Sequence, residues 1–205
     1  MITADKALSR LRAGNERFAA GLQSVEAMSA RPADTASDQS PFAIILGCSD
    51  SRVPAEIVFD QGLGDLFVIR VAGNIVAPSQ IGSIEFAASK FGTRLVVVMG
   101  HSQCGAVIAT VEQLQTPSDS RSRNLRSIVD FVRPSVEASL AEGSDDDHDA
   151  LVERAVRANI RASVDHLRHG SEILEELIAD DALTIVGAEY SLTTGLVEFF
   201  GEAMA

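Results

Sequence analysis

The sequence predicts an α/β fold: a mainly parallel β-sheet flanked by helices, with an N-terminal helical arm and a short C-terminal antiparallel strand. Three observations predict it. Apolar runs at residues 42–46, 66–71, 95–99 and 183–186, interrupted only by Arg70 and Thr184, lack polar alternation, as strands covered on both faces do. Helical patterns at 54–60, 79–91 and 105–115 separate the first three runs or follow them, giving βαβ units with right-handed crossovers. The chain has 205 residues and 46% hydrophobic content, enough for one domain with a sizeable core.

In chain order, residues 3–20 predict an amphipathic helix. Leu8, Leu11, Phe18 and Leu22 fall near one stripe, and Thr3 is available as N-cap. From Gln23 to Gln39 the apolar content falls and Ser, Ala and Asp dominate, which makes an extended arm or loop. Together these form an N-terminal helix and arm at 1–38, ahead of an α/β body at 39–205, all within one domain. The apolar face of the leading segment exceeds what one subunit's sheet covers, so it is expected to clasp a partner subunit.

After the third strand, further helices are expected at 124–141, interrupted at Pro134, and at 149–179, interrupted at Gly170. The Ser-Leu-Thr-Thr-Gly run after Tyr190 is a turn into a last strand at 196–199. No internal repeat is present.

Composition excludes some functions. A formal charge of -12, a pI near 4.7 and no Lys/Arg-rich run exclude a nucleic-acid partner. The first residues lack a basic segment followed by an apolar stretch, and no apolar run reaches about 18 residues, so neither a signal peptide nor a membrane span is expected. A cytoplasmic location follows as the expectation. The acidic run at 142–149, with Asp145, Asp146, Asp147 and His148, lacks the alternating ligands and turn glycine of a calcium loop; it is a solvated connection. His166 and His169 lie three apart on a helical pattern without a third partner, and are expected to face solvent.

The chemistry concentrates around the two cysteines. Cys104 lies three residues after His101 in Gly100-His-Ser-Gln-Cys-Gly105, and Cys48 follows the first strand. Two thiolates and one imidazole, with no fourth Cys or His in either segment, make a three-ligand zinc set that leaves one position for water. Taken singly, each cysteine is equally a small buried hydrophobe. Taken together, both cysteines and one of four histidines fall just past strand-like runs, which favours metal. A redox pair would need Cys-x-x-Cys spacing, and a disulfide would go with export.

Both ligand groups follow strands at their carboxyl ends, where open α/β sheets bind ligands. Asp50 and Arg52 come two and four residues after Cys48, and backbone alternation places the three side chains on one side. An Asp beside a divalent cation either joins it as a fourth ligand or is held back, and a guanidinium holds a carboxylate through two parallel hydrogen bonds. The alternative is an ion pair that only fixes the loop. Two thiolates neutralise the cation, so bound water is less acidified than on zinc held by three imidazoles, where its pKa is about 7; hydroxide then forms best in mildly alkaline solution. An Asp50 carboxylate accepting a hydrogen bond from it would orient its attack on a small electrophile.

Cys48-Ser-Asp-Ser-Arg, Arg70-Val-Ala-Gly-Asn and Gly100-His-Ser-Gln-Cys-Gly-Ala resemble, in order and spacing, the signature segments of the β-class carbonic anhydrases. The resemblance runs from about Gln39 to Tyr190. It implies one Zn2+ per chain on Cys48, His101 and Cys104, with Asp50 a fourth ligand in a closed form. It also implies a catalytic Asp50–Arg52 dyad and reversible hydration of carbon dioxide to bicarbonate and a proton by zinc-bound hydroxide. The family builds homodimers or larger even assemblies such as tetramers, with the active site near the subunit interface.

By the same match Gln39 and the backbone N–H of Gly105 bind substrate. Phe67, Ala72 and Phe86 form an apolar wall partly contributed by the neighbouring subunit. Phe86 departs from the tyrosine of plant-type members. Ile45 stands where some bacterial members carry a Trp that helps an Arg and a Tyr hold inhibitory bicarbonate; Arg70 and Tyr190 match the other two, and no bicarbonate-driven switching is expected. Hydrolysis of carbon disulfide or carbonyl sulfide on the same metal set, or a non-catalytic zinc or anion-binding scaffold, are the alternatives.

Overall fold

The apolar runs become one five-stranded sheet in the computed structural model, which describes residues 2–23, 36–116, 122–142 and 147–200. β1 (Ala43–Gly47), β2 (Leu66–Arg70), β3 (Leu95–His101) and β4 (Thr184–Tyr190) are parallel, and β5 (Val197–Phe200) is antiparallel to β4. The spatial order is β2-β1-β3-β4-β5. Every residue of the two central strands β1 and β3 is buried, which is why their sequences carry no polar alternation. In register, Gly47 of β1 stands between Arg70 and Met99, and His101 pairs with Tyr190.

Helices cover the sheet: α1 (Ala4–Ala19), α2 (Ala55–Val58), α3 (Pro78–Phe91), α4 (Gly105–Gln115), α5 (Arg123–Glu142), α6 (His148–His169) and α7 (Glu172–Ala179), with a 3-10 turn at Ala72–Asn74. Local chemistry sets their ends. The Thr3 hydroxyl accepts from Lys6 N at 3.4 Å at the start of α1. α3 starts on Pro78, where a missing N–H costs nothing. The break expected at Gly170 separates α6 from α7, and Ser171 caps α7 by accepting from Leu174 N at 3.3 Å.

Three expectations change. α5 runs straight through Pro134; the proline removes one backbone hydrogen bond, but Val132 and Val136 on either side of it are fully buried and hold the helix in place. The 54–60 pattern shrinks to the single turn of α2. β4 extends four residues beyond the expected end at Val186: Gly187 is closely packed against Phe200 and Ile160, and the charge of Glu189 further on is met by Arg157 at 2.7 Å. α1 also docks on the body of its own chain. A Cβ on Gly14 would lie 1.9 Å from the Phe59 carbonyl oxygen, and Arg10 and Arg17 pair with Asp65 and Asp60 at 2.8 and 2.6 Å.

Residues 24–35 of the expected arm and 143–146 of the acidic run lie outside the described residues. His166 and His169 are exposed on α6, the latter 3.2 Å from Asp165. Among the described residues no helix is long and apolar enough to cross a membrane.

Candidate metal centre

Adjacent parallel strands bring two distant sequence segments together. Cys48 leaves the carboxyl end of β1, His101 is the last residue of its neighbour β3, and Cys104 sits one residue before α4. Their ligand atoms all lie within 4.8 Å of one another, and all three residues are buried. Sequence spacing placed His101 just past the strand; the structure makes it the strand's last paired residue, locked against Tyr190 of β4.

The donor set fits zinc. His101 Nδ1 lies 2.9 Å from the Ser102 carbonyl oxygen, which assigns the proton to Nδ1 and leaves the Nε2 lone pair turned inward. Nε2 is buried and has no hydrogen-bond partner, a cost that coordination removes. The two sulfurs lean on each other. A hydrogen bond from Cys104, opposed by burial and helped by the His101 ring and the backbone N–H groups of Asp50 and Gly73, holds Cys48 well below the ordinary thiol range. The same contact, reinforced by burial, pushes Cys104 up. A divalent cation ends that competition by stabilising both thiolates at once.

Asp50 sits at the edge of this cluster, its Oδ2 3.9 Å from His101 Nε2. Arg52 donates to it three times: Nε to Oδ1 at 2.9 Å, Nη2 to Oδ2 at 2.7 Å and backbone N to Oδ1 at 2.9 Å. The guanidinium holds the Asp50 carboxyl well below the usual carboxylate range. Arg70, which the sequence associates with an anion pocket, donates instead to the carbonyls of Cys48 and Asp50 at 3.0 and 2.6 Å. Its side chain thereby spans the loop that carries ligand and acid. Ile45 is fully buried in β1, and the Tyr190 ring packs against Phe18 with centroids 6.3 Å apart.

The expected substrate residues divide. Ala72 and Gly105 line one open cleft of about 860 Å³ along α4 and α5, apolar at Ala106, Ala109, Ile128 and Val129. Gly105 follows the ligand Cys104 directly. Gln39 lies elsewhere: it is exposed and precedes β1, near Pro41, whose carbonyl accepts from Thr93 at the start of β3. The ligands are at the other end of those strands, about 16 Å away for a five-residue strand. Phe67 and Phe86 form an aromatic patch with Phe91, at centroid distances of 5.6 to 6.3 Å, and Phe86 is 53% exposed.

The carbonic anhydrase family model matches residues 43–197, which contain Cys48, His101 and Cys104 together with Asp50 and Arg52. The chain belongs to the β-carbonic anhydrase family. It is 39% identical over 186 residues to carbonic anhydrase 2 of Mycobacterium tuberculosis, covering 90% of this chain and 87% of that protein. It is 38% identical over 193 residues to a carbonic anhydrase of Mycolicibacterium smegmatis, covering 92% and 89%. Among solved structures, a β-carbonic anhydrase of Aspergillus fumigatus superposes with a TM-score of 0.76 at 25% identity, over 97% of this chain and 92% of that one. Described as tetrameric, a β-carbonic anhydrase of Sordaria macrospora shares the fold with a TM-score of 0.73 at 24% identity, over 96% and 98%.

For this family member, the groups that sequence reasoning missed are those carried by backbone. The Gly73 N–H donates to Cys48 Sγ at 3.4 Å, and the Ser102 carbonyl orients His101. No residue type marks such groups in advance. The Arg70 contacts belong with them, since the acceptors are carbonyls.

Proposed function

We propose that the chain is a zinc carbonic anhydrase whose Asp50 and Arg52 act as a gate and orienting pair in the reversible hydration of carbon dioxide to bicarbonate and a proton. The observation that carries this reading is the convergence of Cys48, Cys104 and an unpartnered His101 Nε2 at the carboxyl ends of β1 and β3, with the Arg52-held carboxylate of Asp50 beside them. Zinc on these three ligands supplies a Lewis acid that activates water at neutral to mildly alkaline pH. Held on three hydrogen bonds, the Asp50 carboxylate would be kept off the cation and would accept a hydrogen bond from the attacking group, which orients the attack. Gly105 and the apolar wall at Ala72 line the same cleft, where a backbone N–H and an apolar surface would hold a small uncharged substrate while limiting competing water.

Gln39, Phe67 and Phe86 serve the site of a second copy. The separation of Gln39 from Cys48 along β1, and the exposure of Phe86, support a homodimer or tetramer with the active site near the subunit interface. The acidic surface and the lack of a membrane-crossing helix among the described residues agree with a cytoplasmic enzyme. The carbonic anhydrase family match over residues 43–197 favours carbon dioxide over carbon disulfide or carbonyl sulfide. Arg52 argues against a scaffold with a permanently closed metal, since such a site has no use for a residue that restrains Asp50. Ile45 leaves the bicarbonate pocket incomplete, so bicarbonate inhibits without cooperativity.

Stopped-flow hydration of carbon dioxide with a pH indicator, on protein carrying one zinc per chain, tests the function. Turnover well above the buffer rate is expected; a zinc-replete protein no faster than buffer would refute it.

A further inference from the structure

Two consecutive residues beside the metal ligands occupy the left-handed backbone region: Gly73 at φ 68 and ψ 17, and Asn74 at φ 44. At residue 73 only glycine serves, because a Cβ would also lie 3.1 Å from Ala106 Cβ and 3.3 Å from Val132 Cγ2. Asn74 has a side chain and is strained there. Such a turn persists only where its surroundings over-determine it.

α6 supplies that restraint. Asn159 Nδ2 donates to the Gly73 carbonyl at 2.8 Å, and the Ser163 hydroxyl donates to the Asn74 carbonyl at 3.1 Å. The two residues are four apart on one helical face. Both are buried among Val156, Ile160 and Val164, where an unpaired polar side chain is costly. The turn's outward donor, the Gly73 N–H, meets Cys48 Sγ. One continuous set of hydrogen bonds therefore runs from the core face of α6 through a strained turn to a thiolate.

We propose that Asn159, seconded by Ser163, is a positioning residue for the Cys48 thiolate: by pinning both carbonyls of the Gly73–Asn74 turn, α6 aims the Gly73 N–H at the sulfur. This rests on Cys48 being a zinc ligand. A hydrogen bond to a thiolate draws electron density off the sulfur and so lowers its donation to the cation. In a site where two thiolates already neutralise a divalent charge, it leaves the cation a stronger Lewis acid.

The test uses the full chain loaded with cobalt(II) for spectroscopy and with zinc for metal loss. Asn159→Asp is nearly isosteric but has no donor for the Gly73 carbonyl. It is expected to move the thiolate-to-cobalt charge-transfer band to lower energy, because the sulfur donates more freely, and to speed zinc loss to a chelator about 10- to 100-fold, because a released turn no longer holds Cys48 in place and this outweighs the stronger donation. Ser163→Ala should shift both in the same direction by less. Ser139→Ala, whose hydroxyl bonds only within α5 at the Ser135 carbonyl, should move neither. In the unmodified chain loaded with cadmium-113, the Gly73 amide proton should be downfield, slow to exchange and coupled to the metal through the sulfur, a readout independent of whether any variant folds. A folded Asn159→Asp protein with an unshifted band and unchanged zinc loss would overturn the proposal, as would an uncoupled, freely exchanging Gly73 amide. Failure of the ligand reading looks different: the unmodified cobalt protein would show no thiolate charge-transfer band at all.

Discussion

Arg52 grips both carboxylate oxygens of Asp50, at 2.9 and 2.7 Å, while the nearer of them stands only 3.9 Å from the metal-facing nitrogen of His101. The carboxylate is thus within a short swing of the Cys48–His101–Cys104 cluster and is restrained almost wholly by one residue. Arg52→Ala is expected to lower kcat/KM for carbon dioxide hydration at least about 100-fold and to add a carboxylate oxygen to the zinc shell, visible by X-ray absorption. Arg52→Lys should recover only part of the activity, since an ammonium lacks the paired fork. Unchanged turnover in Arg52→Ala would remove the gating role.

Gln39 and Cys48 stand at opposite ends of β1, which makes subunit exchange informative. If Gln39 serves its neighbour's metal, Gln39→Ala and Arg52→Ala proteins, each poorly active alone, regain activity when unfolded and refolded together. In a one-to-one random mixture roughly a quarter of the sites in a twofold dimer combine an intact Gln39 with an intact Arg52. Activity near a quarter of the unmodified protein is therefore expected in the stopped-flow assay. No recovery would place Gln39 outside the site.

The two examples mark what was legible from residues alone. Cys48, His101, Cys104, Asp50 and Arg52 announce themselves because side-chain type carries their chemistry, and β1 and β3 do so because burial on both faces leaves no polar residue in them. Glu189 hid the end of β4, since a lone charge in a strand pattern is indistinguishable from a strand end until Arg157, 32 residues earlier, is seen to meet it. Gly73 and Ser102 act through backbone atoms, and Arg70 acts on carbonyls, so their roles depend on geometry. The docking of α1 on its own chain was illegible for a related reason: it hinges on the absence of a side chain at Gly14 and on one buried amide at Asn15.

Buried Glu189 gives a pH dependence with a definite sign. Desolvation raises its pKa above the ordinary value, outweighing the opposing pull of Arg157. A carboxyl that binds its proton more tightly folded than unfolded costs stability as pH rises from the unfolded pKa through the raised folded one. Below the unfolded value, near 4.5, that cost is absent. Glu189→Gln keeps the shape without the charge, and Glu198 still meets Arg157. Relative to the unmodified chain, the Gln variant should gain stability as pH rises above about 4.5 and level off once the raised folded pKa is passed, in urea unfolding series from pH 4 to pH 7. A difference that is flat, or that falls, over this range would show that Arg157 and not burial controls the group.

Asn15 provides the sharpest stability prediction, because one buried side chain ties α1 to two separate segments. Its Nδ2 donates to the carbonyls of Val58 and Gly195 at 3.1 and 2.8 Å, and its Oδ1 accepts from Val197 N, the first residue of β5, at 2.8 Å. With 3% exposure, no water replaces these partners when the amide is removed. A net worth of about 1 kcal/mol per hydrogen bond, plus the cost of the groups left unpaired, puts Asn15→Ala at about 2–4 kcal/mol. Asn15→Asp should be at least as damaging, since a carboxylate would face two carbonyl oxygens. Equilibrium urea unfolding measures both, and the zinc content of folded protein should stay at one per chain because Asn15 touches no ligand. An Ala variant within about 0.5 kcal/mol of the unmodified chain, the range of neutral surface changes, would mean that α1 is held by its apolar face and salt bridges rather than by this amide.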